Sequence, residues 1–403
     1  MTRPDIFSDI PAPATERRPI ADTRHGITRT DEYAWLRADN WQEVFRDPSV
    51  LDPAIRAHLE AENRYQAELM ADTAELRKKL FEEMKGRIKE DDSSVPMKDG
   101  PYAYGSSYKK GGEQPRYFRI PSGGGQEEII LDGDKEAEGH AYFRLGGIDH
   151  SSDHGRLIWG FDDKGSEFYT LRVRDLASSG DLDDVIGDTG GSGVWDAAND
   201  GFFYTRLDQN HRPSKVFYHA LGGDTASDRL VYEETDPGFF MNVGGTRSNE
   251  WIMISISDHE TSEYRLFSAA QPDAEPRLVA ARETGLQYDL EEGGEIFFVL
   301  TNADGAKDFK IMTAPAADPV RANWKELVAH EPGRLILSVI GFKDFMVRLE
   351  RKDGLPRIVV HERATGSEHH IAFAEEAYSL GLSGSYEYDT DIIRFSYSSM
   401  TTP

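Results

Sequence analysis

No cysteine occurs among the 403 residues. That excludes disulfides, thiolate nucleophiles and cysteine-ligated zinc. Long hydrophobic runs are also missing. The best, such as "WIMISI" from 251 and "EIFFVL" from 295, run to about six residues with a polar residue included, against the ~20 a membrane helix requires. The opening "MTRPDIFSDIPAPATERRP" has no apolar segment of the kind a secretory leader carries. The expectation is a soluble, cytoplasmic protein without membrane contact. Basic charge is scarce as well: 46 Lys and Arg stand against 72 Asp and Glu, a net charge of -26. Such a field repels phosphate backbones, which argues against nucleic acid, and attracts cations such as short peptides rich in Arg and Lys.

What is present is enough for a sizeable core. Hydrophobic residues make up 38% and aromatics 11%. The length allows two or three domains at ~100–200 residues each. The first thirty residues read as an extended arm, followed by Tyr33, Trp35 and Leu36 as anchors. From Asp52 the pattern is helical. Asp52 is a suitable N-cap and Pro53 fits the first helical position. A second start at Asp72 or Thr73 has Glu75 placed for a capping box. Leu76, Leu80, Met84 and Ile88 then recur every four residues and line one face. Two helices are predicted, roughly 53–70 and 73–89.

After Val95 the helical period gives way to short strands with Gly, Asp and Asn turns. These repeat. Strand–turn–strand units begin at 100, 156, 201, 250, 294, 344 and 391, the last five intervals being 45, 49, 44, 50 and 47 residues. Fixed-period β repeats of ~40–50 residues are the mark of a propeller, one four-stranded blade per repeat. A β-sandwich would show strands every 8–12 residues with no longer period. The fold class expected is therefore mainly β: a seven-bladed β-propeller whose seventh blade is incomplete, preceded by an N-terminal extended arm and two α-helices. The seventh repeat holds one strand and then "SYSSMTTP", so three strands are expected to be missing, which predicts a chain cut at Pro403 and self-association through exposed edges.

Catalytic signatures are lacking. "GGSGV" at 190 and "GLSGS" at 381 miss the second glycine of G-x-S-x-G and lie among strands. "DHSSDHG" at 149 spaces His150 and His154 four apart beside Asp149 and Asp153, but its Ser, Asp and Gly predict a solvated turn rather than a metal site. No phosphate loop occurs. Paired acids such as Asp162–Asp163, Asp183–Asp184, Glu233–Glu234 and Glu291–Glu292 are expected by chance in so acidic a chain. No cofactor, metal or catalytic residue is assigned.

Several stretches resemble one known family. "HGITRTDEYAWLR" at 25–37, "LEAENRYQAELM" at 59–70, "LFEEMKGRIKEDDSSVP" at 80–96, "LVYEETD" at 230–236 and "YSSMTTP" at 397–403 are similar to oligopeptidase B, or protease II, in the prolyl oligopeptidase class of serine peptidases. The resemblance runs from about residue 15 to the end. It implies a propeller inserted into an α/β-hydrolase that cuts short peptides after Arg or Lys. It implies that residues 1–75 form an arm and helices that pack on the hydrolase domain, and that 76–403 form the propeller. The hydrolase domain, with its serine, aspartate and histidine, would lie beyond residue 403. The chain's partners would then be that missing domain and short basic peptides, and the chain alone would be inactive. The acids of "DDKGSEFY" supply two candidates for contact with the hydrolase domain, Glu167 and Asp163. The competing readings are a stand-alone propeller that binds peptides or proteins, and a propeller glycosidase, for which no carboxylate pair is identifiable.

Overall fold

The computed structural model describes residues 10–402. They form two compact units, the first of residues 10–92 with 164–166 and the second of residues 93–163 with 167–402. The expectations placed on residues 1–9 and on Pro403 lie outside the described residues.

In the first unit the arm becomes a hairpin, Ile20–Arg24 paired with Ile27–Asp31. Its two-residue turn, His25 and Gly26, has φ of 52° and 75°, the left-handed pair that matches strand twist. Trp35 is the anchor expected: its indole donates to the Glu16 carbonyl at 2.9 Å and Arg18 stacks 4.2 Å over the ring. Helix Pro53–Leu69 begins as predicted, with the Asp52 carboxylate accepting from the backbone of Ala54 and Ile55 at 2.7 and 3.2 Å. The next helix, Ala74–Lys85, does not begin with a capping box. The Thr73 hydroxyl instead donates back to the Met70 carbonyl at 2.7 Å, closing the 3-10 turn that precedes it. This helix ends four residues earlier than predicted and belongs to the first unit, not to the propeller. Its face of Leu76, Leu80 and Met84 is exposed.

The second unit is a succession of antiparallel meanders. Met97–Asp132 makes the first four-stranded sheet; 240–278, 288–328 and 334–370 make three more. Between them lies a seven-stranded sheet from Arg144 to Glu233. There the long strand Gly180–Trp195 is the outermost strand of the second blade and the innermost of the third, with register breaks between Asp181 and Thr189 and between Thr189 and Gly193. The seventh sheet has two strands, Tyr378–Ser383 and Arg394–Ser399. One strand was expected there, because the apolar repeat is most regular on the second strand of each blade.

The cores explain why these sheets stack radially. A blade covered on both faces needs apolar residues on both sides of its strands. In Ile296–Thr301, Phe297 and Val299 pack with Leu266 and Val279 of the fourth blade, whereas Phe298 and Leu300 pack with Ile336 and Met346 of the sixth. Six such clusters fill the six gaps between successive blades. The seam between seventh and first blades is closed by polar contacts: Arg394 donates to the Pro96 carbonyl at 2.6 Å, Glu387 pairs with Lys98 at 3.0 Å, and the Gly100 amide donates to Glu387 at 3.2 Å. Tyr386 adds edge-on contacts to Tyr104 and His150.

Candidate functional site

Each blade begins with its innermost strand, and these strands end at Asp99, His150, Trp195, Gly245, Gly293, Gly341 and Ser383. Residues at and just beyond several of these ends enclose a chamber of about 340 Å³. Asp99, Asp149, His150, Asp196, Arg247 and Tyr386 contribute its charged and aromatic walls. The sequence reading did not find this set, since its members come from five different repeats.

Acid dominates the chamber wall. Burial pushes the Asp149 carboxyl up to about 7, against the neighbouring His150 and a hydrogen bond from the Trp195 backbone. At Asp99 burial is the largest influence and opposes charge, but the 2.7 Å bond to His150 together with the electrostatic pull of His150, His154 and Lys98 holds the carboxyl below its ordinary value. Asp196 is fixed by the Tyr218 hydroxyl at 2.7 Å and the Asp200 amide at 3.1 Å. The cation on this wall, Arg247, is engaged by other blades: its guanidinium donates to Glu291 and, at 2.7 Å, to the Gly341 carbonyl. Burial raises the Glu291 carboxyl to about 7 despite that partner. Adjacent Glu292 accepts from the Ser248 amide at 3.1 Å. This pair of acids, expected by chance, braces the fourth, fifth and sixth blades together.

Among the chamber's serines, Ser152 is tied to the side chain of Asn199. Ser152 Oγ lies 2.9 Å from the amide nitrogen of Asn199, a group with no capacity to take its proton. "GGSGV" falls inside strand Gly180–Trp195, and "GLSGS" begins in strand Tyr378–Ser383 and runs into a bend. Neither forms a strand-to-helix elbow, and "GGSGV" is strand rather than the turn expected. No helix among the described residues is long and apolar enough to cross a membrane.

The two contact candidates lie elsewhere. Asp163 faces His140 at 3.7 Å, both side chains 37% exposed. Glu167 is exposed with φ of 59°, and its amide donates to Asp162 at 2.8 Å. Neither lines the chamber. The "DHSSDHG" segment needs a correction. It does turn, and Ser152 and Asp153 at its tip are exposed, but His150 is not solvated: its side chain is only 7% exposed and stacks on Tyr104 with ring centres 3.8 Å apart.

Residues 13–403 match the family model described as prolyl oligopeptidase, N-terminal β-propeller domain. Dipeptidyl aminopeptidase BI of Pseudoxanthomonas mexicana is 33% identical across 98% of this chain and 56% of its own length. Protease 2 of Moraxella lacunata is 29% identical across 97% of this chain and 56% of its own length. Among solved structures, oligopeptidase B from Leishmania major superimposes with a TM-score of 0.89 at 26% identity, covering 98% of this chain and 58% of that one. Oligopeptidase B from Trypanosoma brucei, in a closed form with covalently bound antipain, gives 0.88 at 27% identity, covering 98% and 58%. The chain thus spans little more than half the length of these relatives.

Proposed function

The chain belongs to the prolyl oligopeptidase family, as its N-terminal β-propeller domain, and from that premise we propose that it is the substrate-admitting part of a cytoplasmic serine peptidase that cuts short peptides after Arg or Lys. We assign it no nucleophile among the described residues. Its work is selection by size and by charge. A ring of packed blades excludes folded proteins, and opening against a hydrolase domain gates access and keeps water from the reacting centre. Glu167 and Asp163 are the residues we assign to contact with that domain.

The observation that carries this reading is the acid-lined chamber at the ends of the inner strands. Asp99, Asp149 and Asp196 face one space, while Arg247 is held by Glu291. A cationic side chain entering there meets carboxylates at an effective dielectric well below that of water, where each close pair contributes on the order of 1–4 kcal/mol. Steering by the net charge of -26 adds a salt-dependent increase in encounter.

Binding of fluorescent tetrapeptides, read by anisotropy at low salt with a chelator present, tests this. A peptide carrying Arg and Lys should bind at least ~10-fold more tightly than its Glu-containing counterpart, a difference of about 1.4 kcal/mol. The double variant Asp99→Asn, Asp196→Asn should erase most of that preference. Equal affinity for basic and acidic peptides would contradict the proposal.

A further inference from the structure

The segment that sequence alone assigns to a solvated turn is, in the fold, a convergence of nitrogen and carboxylate donors. Asp99 ends the first strand of the first blade. His150 ends the first strand of the second blade, and His154 sits in the turn that follows it with φ of 60°. One ligand atom from each of the three lies within 4.8 Å of the others. The geometry points to a binding site for a divalent transition-metal ion of the Zn²⁺ class, held by Asp99, His150 and His154 across the junction of the first two blades.

The donor set fits that chemistry. Two imidazoles and one carboxylate suit Zn²⁺, Co²⁺ or Ni²⁺ and do not suit Mg²⁺ or Ca²⁺, which take oxygen ligands. Bonds of ~2.0–2.1 Å in a tetrahedral arrangement require ligand atoms roughly 3.3 Å apart. His150 Nε2 and Asp99 Oδ2 are already 2.7 Å apart, and an inward movement of His154 by about 1.5 Å or less completes the set. The two rings are nearly parallel, 20° between planes and 5.6 Å between centres, so the same movement must tilt His154 until both in-plane nitrogen lone pairs converge on the ion.

The surroundings fit as well. Ligating histidines are commonly oriented by a partner on the other ring nitrogen. Tyr104 Oη lies 2.9 Å from His154 Nδ1, which leaves Nε2 directed toward Gly100. A side chain at position 100 would put a Cβ 3.1 Å from that nitrogen, and its φ of 54° also favours glycine. The two neighbouring cations are engaged: Lys98 pairs with Glu387 at 3.0 Å, and Arg119 makes a two-pronged pair with Glu128 at 2.7 and 3.1 Å while it holds the His154 carbonyl at 2.7 Å. Asp99 and His150 also line the 340 Å³ chamber, so the coordination positions the protein leaves open are within reach of water or of a peptide's polar ends.

Titration of the purified, chelator-stripped chain with Co²⁺, followed by its visible ligand-field bands, then by Zn²⁺ displacement, tests the site. One ion per chain is expected, with intense bands of low coordination number. His154→Ala, a change in a turn, should weaken binding on the order of 100-fold or more, and Tyr104→Phe by roughly 10-fold through loss of ring orientation. X-ray absorption on the unmutated Co²⁺ or Zn²⁺ form supplies a reading independent of any variant's folding. Two imidazoles in the coordination sphere support the site. Absence of stoichiometric binding, a sphere with fewer than two imidazoles, or unchanged affinity in a folded His154→Ala variant would overturn it.

Discussion

Replacing His219 by alanine lowers the stability of the β-propeller by about 3–5 kcal/mol, the loss expected when one partner of a buried ionic set is removed. The His219 side chain is fully buried between two carboxylates: Nε2 lies 2.9 Å from Asp184 and Nδ1 2.7 Å from Asp228. Both aspartates have further partners. Asp184 accepts from the Gly222 amide at 2.6 Å, and Asp228 from the Tyr204 hydroxyl at 2.7 Å. Without the imidazole, two buried carboxylates at the junction of the second and third blades are left with no side chain between them, and the void adds a packing cost. In thermal unfolding the shift should be roughly 5–10 °C downward. The exposed pair Asp163–His140 is the control: Asp163→Asn should change stability by less than about 0.5 kcal/mol. Equal effects at the two sites would show that the buried triad is not holding the blade.

The second large effect is steric. A Cβ at Gly341 would sit 1.8 Å from the Glu292 carbonyl oxygen. That oxygen is backbone and cannot rotate away, so Gly341→Ala must push the inner strands of the fifth and sixth blades apart. The expected cost is about 3 kcal/mol or more, beyond the usual range for an overpacked core. The same displacement pulls the Gly341 carbonyl from Arg247 and so disturbs the chamber wall. Gly244, also in an inner strand, has no atom within 4 Å of its added Cβ, and Gly244→Ala should be neutral within about 0.5 kcal/mol. Urea unfolding of the two variants side by side measures the difference. A Gly341→Ala protein as stable as Gly244→Ala would mean that the two strands do not approach as closely as described.

Much of the architecture is legible in the sequence because a propeller writes itself as a period. The unit spacing of 44–50 residues reappears in contacts between equivalent positions of neighbouring blades. Trp195 donates to the Asp149 carbonyl across 46 residues, Ser152 to Asn199 across 47, and His150 meets Asp99 across 51. The cap at Asp52 was legible because it is local. What escaped was what depends on two repeats at once. A lone "DHSSDHG" reads as a turn; only one period upstream does Asp99 supply the third group. Glu291 and Glu292 look like surplus charge until Arg247 and Ser248, in the preceding blade, are set against them. The fusion of the second and third blades through Gly180–Trp195 was hidden because one strand serves both sheets. The missed cap of the second helix has a different cause: the Thr73 hydroxyl had a nearer acceptor in the turn behind it.

The account assigns this chain the admission of substrate and none of the bond-breaking chemistry. Incubation with a fluorophosphonate probe, which reacts with activated serines, followed by intact-mass analysis, tests that division most directly. The account predicts an unmodified chain, since the chamber's Ser152 is partnered by an amide and no strand-to-helix serine elbow is present among the described residues. Stoichiometric covalent labelling at any serine would contradict it.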